Sequence, residues 1–314
     1  MKKQTIQDRM ALLREELRRE HLSAFIFPTT DPHHSEYTVD HWRGLEWMSG
    51  FTGMTGTAVV TLESAALWTD SRYFVQAAEQ LKGTEYQLMK PKMGGMPTVA
   101  DWIASELFSL HSPHSTEIGV DGMLFSVSDV EQLKEELKQR GGITVRTNFD
   151  PLARIWRNRP QIPQNPVEIQ PLEMAGEDAK SKLGRIRQAL RQQHADGMLV
   201  TALDDIAWTL NLRGSDVHCH PVFVSYLLIA SDRATLYVDK EKVSSEVKTY
   251  LKSQGVAIAG YSEVSSGLKD YFEYNILLDP DEVCYTLYQQ VTRNIVRGTS
   301  PIAAVKTVKN KVGR

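Results

Sequence analysis

Four short stretches of this 314-residue chain carry side chains suited to chemistry. The first is His218-Cys219-His220. On a strand, alternation would turn both imidazoles to one face and the thiol to the other. Two histidines are fewer than a tetrahedral metal site needs, and no CxxC or HExxH pattern exists to complete one. Pro221 follows at once and marks a loop entering a strand, so a structural role is expected here. The second is the pair Asp205 and Asp216, with ten residues between them. Two carboxylates at such spacing can clamp paired metal ions that activate a water. That chemistry also needs a histidine and two glutamates further on, and His220 is the last histidine in the chain. The spacing is therefore read as coincidence. The third is the polar loop Thr29-Thr30-Asp31-Pro32-His33-His34-Ser35-Glu36-Tyr37, which directly follows an apolar run. Sites tend to be built on loops that leave strand ends, although Asp-Pro and Ser also make ordinary turns. The fourth is Asp70-Ser71-Arg72-Tyr73, at a strand-to-helix junction. Arg72 offers a fixed fork of donors that suits a carboxylate or a peptide carbonyl; an ion pair with Asp70 is the alternative. The glycine-rich stretch 50–56 fits neither phosphate-binding pattern and reads as a flexible turn between a helix end and a hairpin. No GxSxG elbow, Walker loop or GxGxxG after a strand is present, and neither cysteine lies in a catalytic pattern.

The elements that must position these residues come in two similar sets. Thr5 and Asp8 form a capping pattern before an apolar stripe at Ile6, Met10, Leu13 and Leu17, spaced for one face of a helix. The run Ala24-Phe25-Ile26-Phe27, closed by Pro28, reads as a buried strand. Later, Leu183, Ile186 and Leu190 form a helical stripe, and Met198-Leu199-Val200 a strand. Residues 58–70 lie without gaps over residues 227–239, at a constant spacing of 169. In both, an apolar strand meets a polar turn and then a second strand that ends in Asp, which predicts a β-hairpin. Each Asp leads into a helical pattern, over 73–81 and over about 242–251. Ile118-Gly119-Val120-Asp121 then precedes a helix striped by Val130, Leu133 and Leu137, and Ile276-Leu277-Leu278-Asp279 precedes one expected at 283–291. The mixture of hairpins and strand–helix alternation predicts two copies of one α/β domain, each a mixed sheet flanked by helices. Between them, prolines at 160, 163, 166 and 171 block helix and central strand, which makes 159–172 an extended, fairly stiff linker between domains at 1–158 and 173–314.

Composition agrees with a folded, two-domain protein. Hydrophobic residues make up 41% and charged residues 24%, which argues against disorder, collagen or a disulfide scaffold. A net charge of −3, with both signs interspersed, gives no footprint for nucleic acid or a membrane surface. The two cysteines, the charge-interrupted N-terminus and the lack of any run of membrane-spanning length point to a cytoplasmic, soluble protein.

Taken in order along nearly the whole chain, these stretches resemble the Xaa-Pro aminopeptidase family, of the cytosolic three-domain type. The resemblance rests on the 28–37 loop, Ser49-Gly50-Phe51-Thr52-Gly53, Gly56-Thr57-Ala58, Trp68-Thr69-Asp70-Ser71-Arg72-Tyr73-Phe74 and Pro97-Thr98-Val99-Ala100-Asp101-Trp102. In the second half it rests on Ile206-Ala207-Trp208, Asn211-Leu212-Arg213-Gly214-Ser215-Asp216-Val217, Pro221-Val222-Phe223, and Pro301-Ile302 leading to Lys306-Thr307-Val308-Lys309-Asn310. Two departures occur: Ser71 stands where the family usually has glycine, and Phe51-Thr52-Gly53-Met54 where Phe-Asp-Gly-Ser is usual. The resemblance implies two creatinase/prolidase N-terminal domains of ribonuclease H-like fold, one duplicated from the other. It also implies a third, pita-bread domain that holds two divalent ions, usually manganese, through two Asp, one His and two Glu. Family members remove the N-terminal residue that precedes proline and commonly act as homodimers. Arg314 falls about where the third domain begins, so the resemblance places every catalytic and metal-binding residue outside this stretch. It implies a non-catalytic, cofactor-free region that contributes substrate positioning and oligomer architecture. The role of contacting the peptide is carried onto Arg72, and a place near the active-site mouth onto Asp31, His33 and His34. A stand-alone peptide-binding or interaction module, and an enzyme with an unrecognised site at His218 and His220, remain as alternatives.

Overall fold

The strand Ala24–Pro28 is buried at every position because it has apolar side chains for both faces of a sheet. Phe25 and Phe27 enter one core cluster, while Ala24 and Ile26 enter another, as a period of two requires. The first cluster is closed by the helix Ile6–Arg19, whose Met10, Leu13 and Leu17 are buried, together with Leu152 and Trp156. Thr5 and Asp8 form a full capping box at the start of that helix, a device worth about 1 kcal/mol. The second cluster is closed by the helices Val99–Ser109 and Val127–Gln139, which supply Trp102, Ile103 and Leu137.

The coordinates are a computed structural model that describes residues 4–91, 93–109, 116–291 and 293–309. By packing, the chain divides into two units: residues up to Asp31 with Asp40–Gln161, and Pro32–Val39 with residues from Ile162 on. In the first unit the strands are β1 (Ala24–Pro28), β2 (Gly56–Thr61), β3 (Ala65–Thr69), β4 (Tyr86–Met89), β5 (Glu117–Val120) and β6 (Thr144–Arg146), in spatial order β4-β3-β2-β1-β5-β6. β1 pairs antiparallel with β2 and parallel with β5, so the sheet is mixed.

The second unit continues with β7 (Glu168–Ile169), β8 (Gly197–Val200), β9 (Leu212–Arg213), β10 (Ser225–Ala230), β11 (Ala234–Val238), β12 (Val256–Ala259), β13 (Ile276–Leu278) and β14 (Ile295–Arg297). Its main sheet has the order β12-β11-β10-β8-β13-β14, the same topology as the first. The repeat extends to register. β2 and β3 occupy residues that lie 169 positions before those of β10 and β11 at both ends of each strand. Ala24 faces Thr61 and Ile118 in one sheet, and Gly197 faces Ala230 and Ile276 in the other. Gly197 has to be glycine, since a Cβ there would lie 2.4 Å from the Ile229 carbonyl oxygen.

Several expectations need correction. The helix expected at 283–291 is one turn, Tyr285–Tyr288; Cys284 gives it no side-chain cap, and Tyr and Thr are weak helix formers. After Asp239 a short turn, Lys240–Lys242, comes first, and Ser244 then caps the helix Ser245–Ser253 by accepting from the Val247 amide. The stretch 50–56 is pinned rather than loose: Phe51 is fully buried, and a Cβ on Gly53 would lie 2.1 Å from its ring. The helix before it, Gly44–Ser49, ends on Gly50 at φ 77°, a left-handed cap that favours glycine. In the proline-rich segment, Gln164 donates to Asp239, Asn165 to the Ser215 carbonyl, and the Val167 amide to the Lys242 carbonyl.

Asp121, at the end of β5, offers a test of the first core. Its carboxylate accepts from the Met123 amide at 2.9 Å. Burial, aided by the nearby Asp150, pushes its pKa from 3.8 up to about 7. The folded state therefore holds a proton that the unfolded state has released between those values, and stability falls as pH rises from about 4 to 7. Asp121→Asn keeps the acceptor and removes the charge. It should raise the thermal midpoint at pH 8, by roughly 1–3 kcal/mol in stability, and much less at pH 5. Equal effects at the two pH values in paired calorimetric scans would contradict this.

Candidate functional site

At one end of the first sheet, residues from β1, β2 and β3 meet the two helices of the second cluster around a cavity of about 860 Å³. Ile26, Trp68, Phe74, Val99, Phe125 and Leu133 give it apolar walls, and Thr29, Thr30 and Thr69 add hydroxyls. Those hydroxyls are engaged with main-chain carbonyls: Thr30 with Leu124, Thr69 with Thr55, Thr29 with Gly56. The Trp68 indole donates to the Pro97 carbonyl at 3.0 Å and packs edge-on against Trp102.

Asp70 lies on the wall of this cavity and Arg72 stands beside it. Asp70 caps the turn Ser71–Tyr73 by accepting from the Arg72 amide at 2.9 Å. The same carboxylate receives the Arg72 side chain in a fork, Nε to Oδ1 at 3.0 Å and Nη2 to Oδ2 at 2.6 Å. This bond holds the Asp70 pKa below its ordinary value and the Arg72 pKa above. The fork uses two of the five guanidinium N–H groups and leaves three on a side chain that is 72% exposed. In the second unit the corresponding residues are Asp239 and Glu241. Asp239 caps its turn in the same way, but the arginine position carries the opposite charge.

The polar loop after β1 is divided between the units: Asp31 belongs to the first, His33 and His34 to the second. Asp31 is fully buried, and His34 has a left-handed backbone at φ 49°. His33 is 2% exposed, its ring 4.5 Å from that of Tyr226 and 5.9 Å from that of Tyr261. Its Nδ1 lies 3.0 Å from the Thr201 carbonyl, which accepts, so Nδ1 carries the proton and Nε2 is left for the Tyr261 hydroxyl at 2.9 Å. His33 therefore fastens the loop into the second unit. Nothing in the sequence marked Tyr226 and Tyr261 as its partners.

Of the remaining candidates, the two aspartates have structural partners and the histidine pair lies in a turn. His218-Cys219-His220 is a turn rather than a strand: Cys219 has φ 58°, and Val217 bridges His220 across it, so the imagined alternation of faces does not arise. Asp205 accepts from Lys306 at 3.1 Å, whereas Asp216 pairs with Lys242 and also accepts from the Val224 amide at 2.7 Å. The two aspartates thus serve separate contacts. Among the described residues, no group of three or more His, Cys, Asp or Glu is placed to hold a metal ion. Sequence reasoning passed over Lys182. It is buried, donates to the Trp208 carbonyl at 2.8 Å and to Asn211 Oδ1 at 2.6 Å, and lies over the Trp208 ring. Desolvation lowers its pKa to about 8.

Comparison with known proteins gives a consistent result. Residues 9–154 and 158–313 each match a family model described as Creatinase/Prolidase N-terminal domain. A probable Xaa-Pro aminopeptidase P of Botryotinia fuckeliana is 40% identical over 261 residues, which is 82% of this chain and 39% of that protein. Xaa-Pro aminopeptidase 1 of Dictyostelium discoideum is 35% identical over 99% of this chain and 50% of its own length. The crystal structure of an X-prolyl aminopeptidase from Caenorhabditis elegans, described as a cytosolic enzyme with a di-nuclear active site, superposes with a TM-score of 0.90 at 28% identity. It is matched over 99% of this chain and 52% of that one. The chain spans about half the length of such relatives, or less.

The Asp216–Lys242 pair separates a structural role from a chemical one. Both side chains are almost fully buried, at 0% and 1% exposure. Asp216→Leu strands a buried ammonium and should cost about 3–5 kcal/mol, while adding Lys242→Met should recover most of the loss. Urea unfolding of both variants checks this; a double variant no more stable than the single one would argue against it.

Proposed function

The chain belongs to the creatinase/prolidase N-terminal domain family, and from that premise we propose that it is the substrate-positioning N-terminal region of an Xaa-Pro aminopeptidase, an enzyme that removes the residue preceding proline from peptides. The observation that supports this reading best is Arg72. Its guanidinium is oriented by Asp70, retains three donors and faces solvent. The duplicated unit keeps the capping aspartate but puts Glu241 at the equivalent position. The turn geometry alone thus does not call for an arginine, and beyond its contacts with Asp70 and the Tyr73 ring the exposed guanidinium has donors to offer a ligand.

In this reading Arg72 holds a carbonyl or carboxylate of the peptide by charge-assisted hydrogen bonds. A peptide fixed at a second point loses less freedom when its scissile bond is aligned, which lowers the barrier without any chemistry in this region. Asp31, His33 and His34 shape the loop near the mouth, with His33 acting through the placement of its neighbours. The described residues do not fit a pair of divalent ions, so the reading assigns the metals, manganese by family likeness, to a further catalytic domain. It takes 159–172 as the linker between the two domains, the working enzyme as a cytoplasmic homodimer, and the substrates as Xaa-Pro peptides.

Two measurements test it. In the whole enzyme, Arg72→Ala should lower kcat/KM by roughly 10- to 100-fold, the loss expected for one charged hydrogen bond. Bound metal should be unchanged, and Arg72→Lys should restore part of the rate. An unaltered rate would remove Arg72 from the site. The 314-residue chain alone should not cleave Xaa-Pro peptides, and turnover by it would refute the division of labour.

A further inference from the structure

The cavity beside Asp70 has a lining more selective than a positioning role for Arg72 requires. Among the described residues that line it, the ionisable ones are Asp70, Asp129 and Glu136, all acidic. Arg72 is turned to Asp70, and Lys90 Nζ lies 5.5 Å from the centre of the Phe74 ring. Asp129, Gln132, Leu133 and Glu136 all line the cavity from the helix Val127–Gln139, at spacings of three, one and three that keep them on one face. Gln132 donates to Glu136 Oε1 at 2.8 Å, which orients that carboxylate and leaves its second oxygen to other donors. Against this acidic rim stand Trp68, Phe74, Phe125 and Leu133; the hydroxyls of Thr30 and Thr69 go to main-chain carbonyls, and Thr55, Thr57 and Ser71 add further hydroxyl side chains to the wall.

A cavity of about 860 Å³ is the size of a small-ligand site. Apolar walls favour an aliphatic or aromatic group. An acidic rim repels phosphates and carboxylates and favours a positive charge. We infer that this cavity is a binding site for a peptide segment that carries an apolar side chain next to a basic one, the apolar group lying among Phe74, Phe125 and Leu133 and the charge at Glu136 and Asp129. Because Asp70 forms part of its wall and also holds Arg72, a peptide gripped by Arg72 would reach the cavity with its neighbouring residues. The inference deepens the peptide-positioning reading and rests on it for the identity of the ligand as a peptide.

The test is titration calorimetry on the 314-residue chain with three defined probes: acetyl-Phe-Arg-amide, acetyl-Phe-Glu-amide and acetyl-Ser-Arg-amide. The first should bind at least tenfold more tightly than either of the others. Glu136→Gln should weaken it at least threefold and reduce the preference for Arg over Glu, and Phe125→Ala should weaken it at least tenfold. Should Phe125→Ala unfold, as its thermal melt would show, Glu136→Gln decides alone. Equal affinity for the three probes, no binding of any, or unchanged binding by a folded Glu136→Gln overturns the inference. A failure here leaves the effect of Arg72→Ala on the whole enzyme intact, so the two readings fail separately.

Discussion

Burial of β1 on both faces is the constraint from which the rest of the first unit follows. A five-residue strand with no exposed position must be covered by neighbours in the sheet and by helices above and below it. Its Phe residues select the face for the N-terminal helix, and Ala24 and Ile26 the face for Trp102 and Leu137. The antiparallel hairpin on one side and parallel β5 on the other then bring Pro28, the β2 entrance and the β3 exit to the same end of the sheet. That convergence makes the cavity and places Asp70 on its wall.

Duplication shows which features serve the fold and which go beyond it. Both copies end the hairpin in an aspartate that caps a turn, Asp70 and Asp239, and in both the strand parallel to the first one, β5 or β13, is followed by an aspartate that accepts from the amide two residues on, Asp121 and Asp279. Such a carboxylate satisfies a main-chain donor where strand pairing stops, so any sequence adopting this fold gains from it. Arg72 and Glu241 occupy equivalent places with opposite charge. The shared residue answers to the backbone, whereas the backbone does not fix the residue two positions on.

Buried charge in the second unit has a similar explanation. Lys182 reaches Trp208 and Asn211, and Asn211 closes the helix Leu203–Leu210 in a left-handed conformation at φ 52°. Lys242 holds Asp216 beside the Val224 amide. These ammonium groups occupy carbonyl and carboxylate acceptors that would otherwise be desolvated without a donor. The Asn211–Val217 stretch, suggestive as a motif, is thus largely accounted for by local packing.

The sequence alone determined whatever depends on local periodicity and caps. The Ile6–Arg19 helix, both hairpins with their terminal aspartates and the 169-residue repeat were all legible, because side-chain alternation and capping are written within a few residues. The Asp70–Arg72 pair was legible as one of two options, since both residues lie in a single turn. Tertiary structure decided the rest. Fixing His33 required Thr201, Tyr226 and Tyr261, and pairing Asp216 required Lys242, all far away along the chain. The cavity likewise draws on three strands and three helices that lie far apart along the chain. Its acidic helix face could have been noticed, but not that the face borders a void, because a void is a property of packing between elements and no single element encodes it.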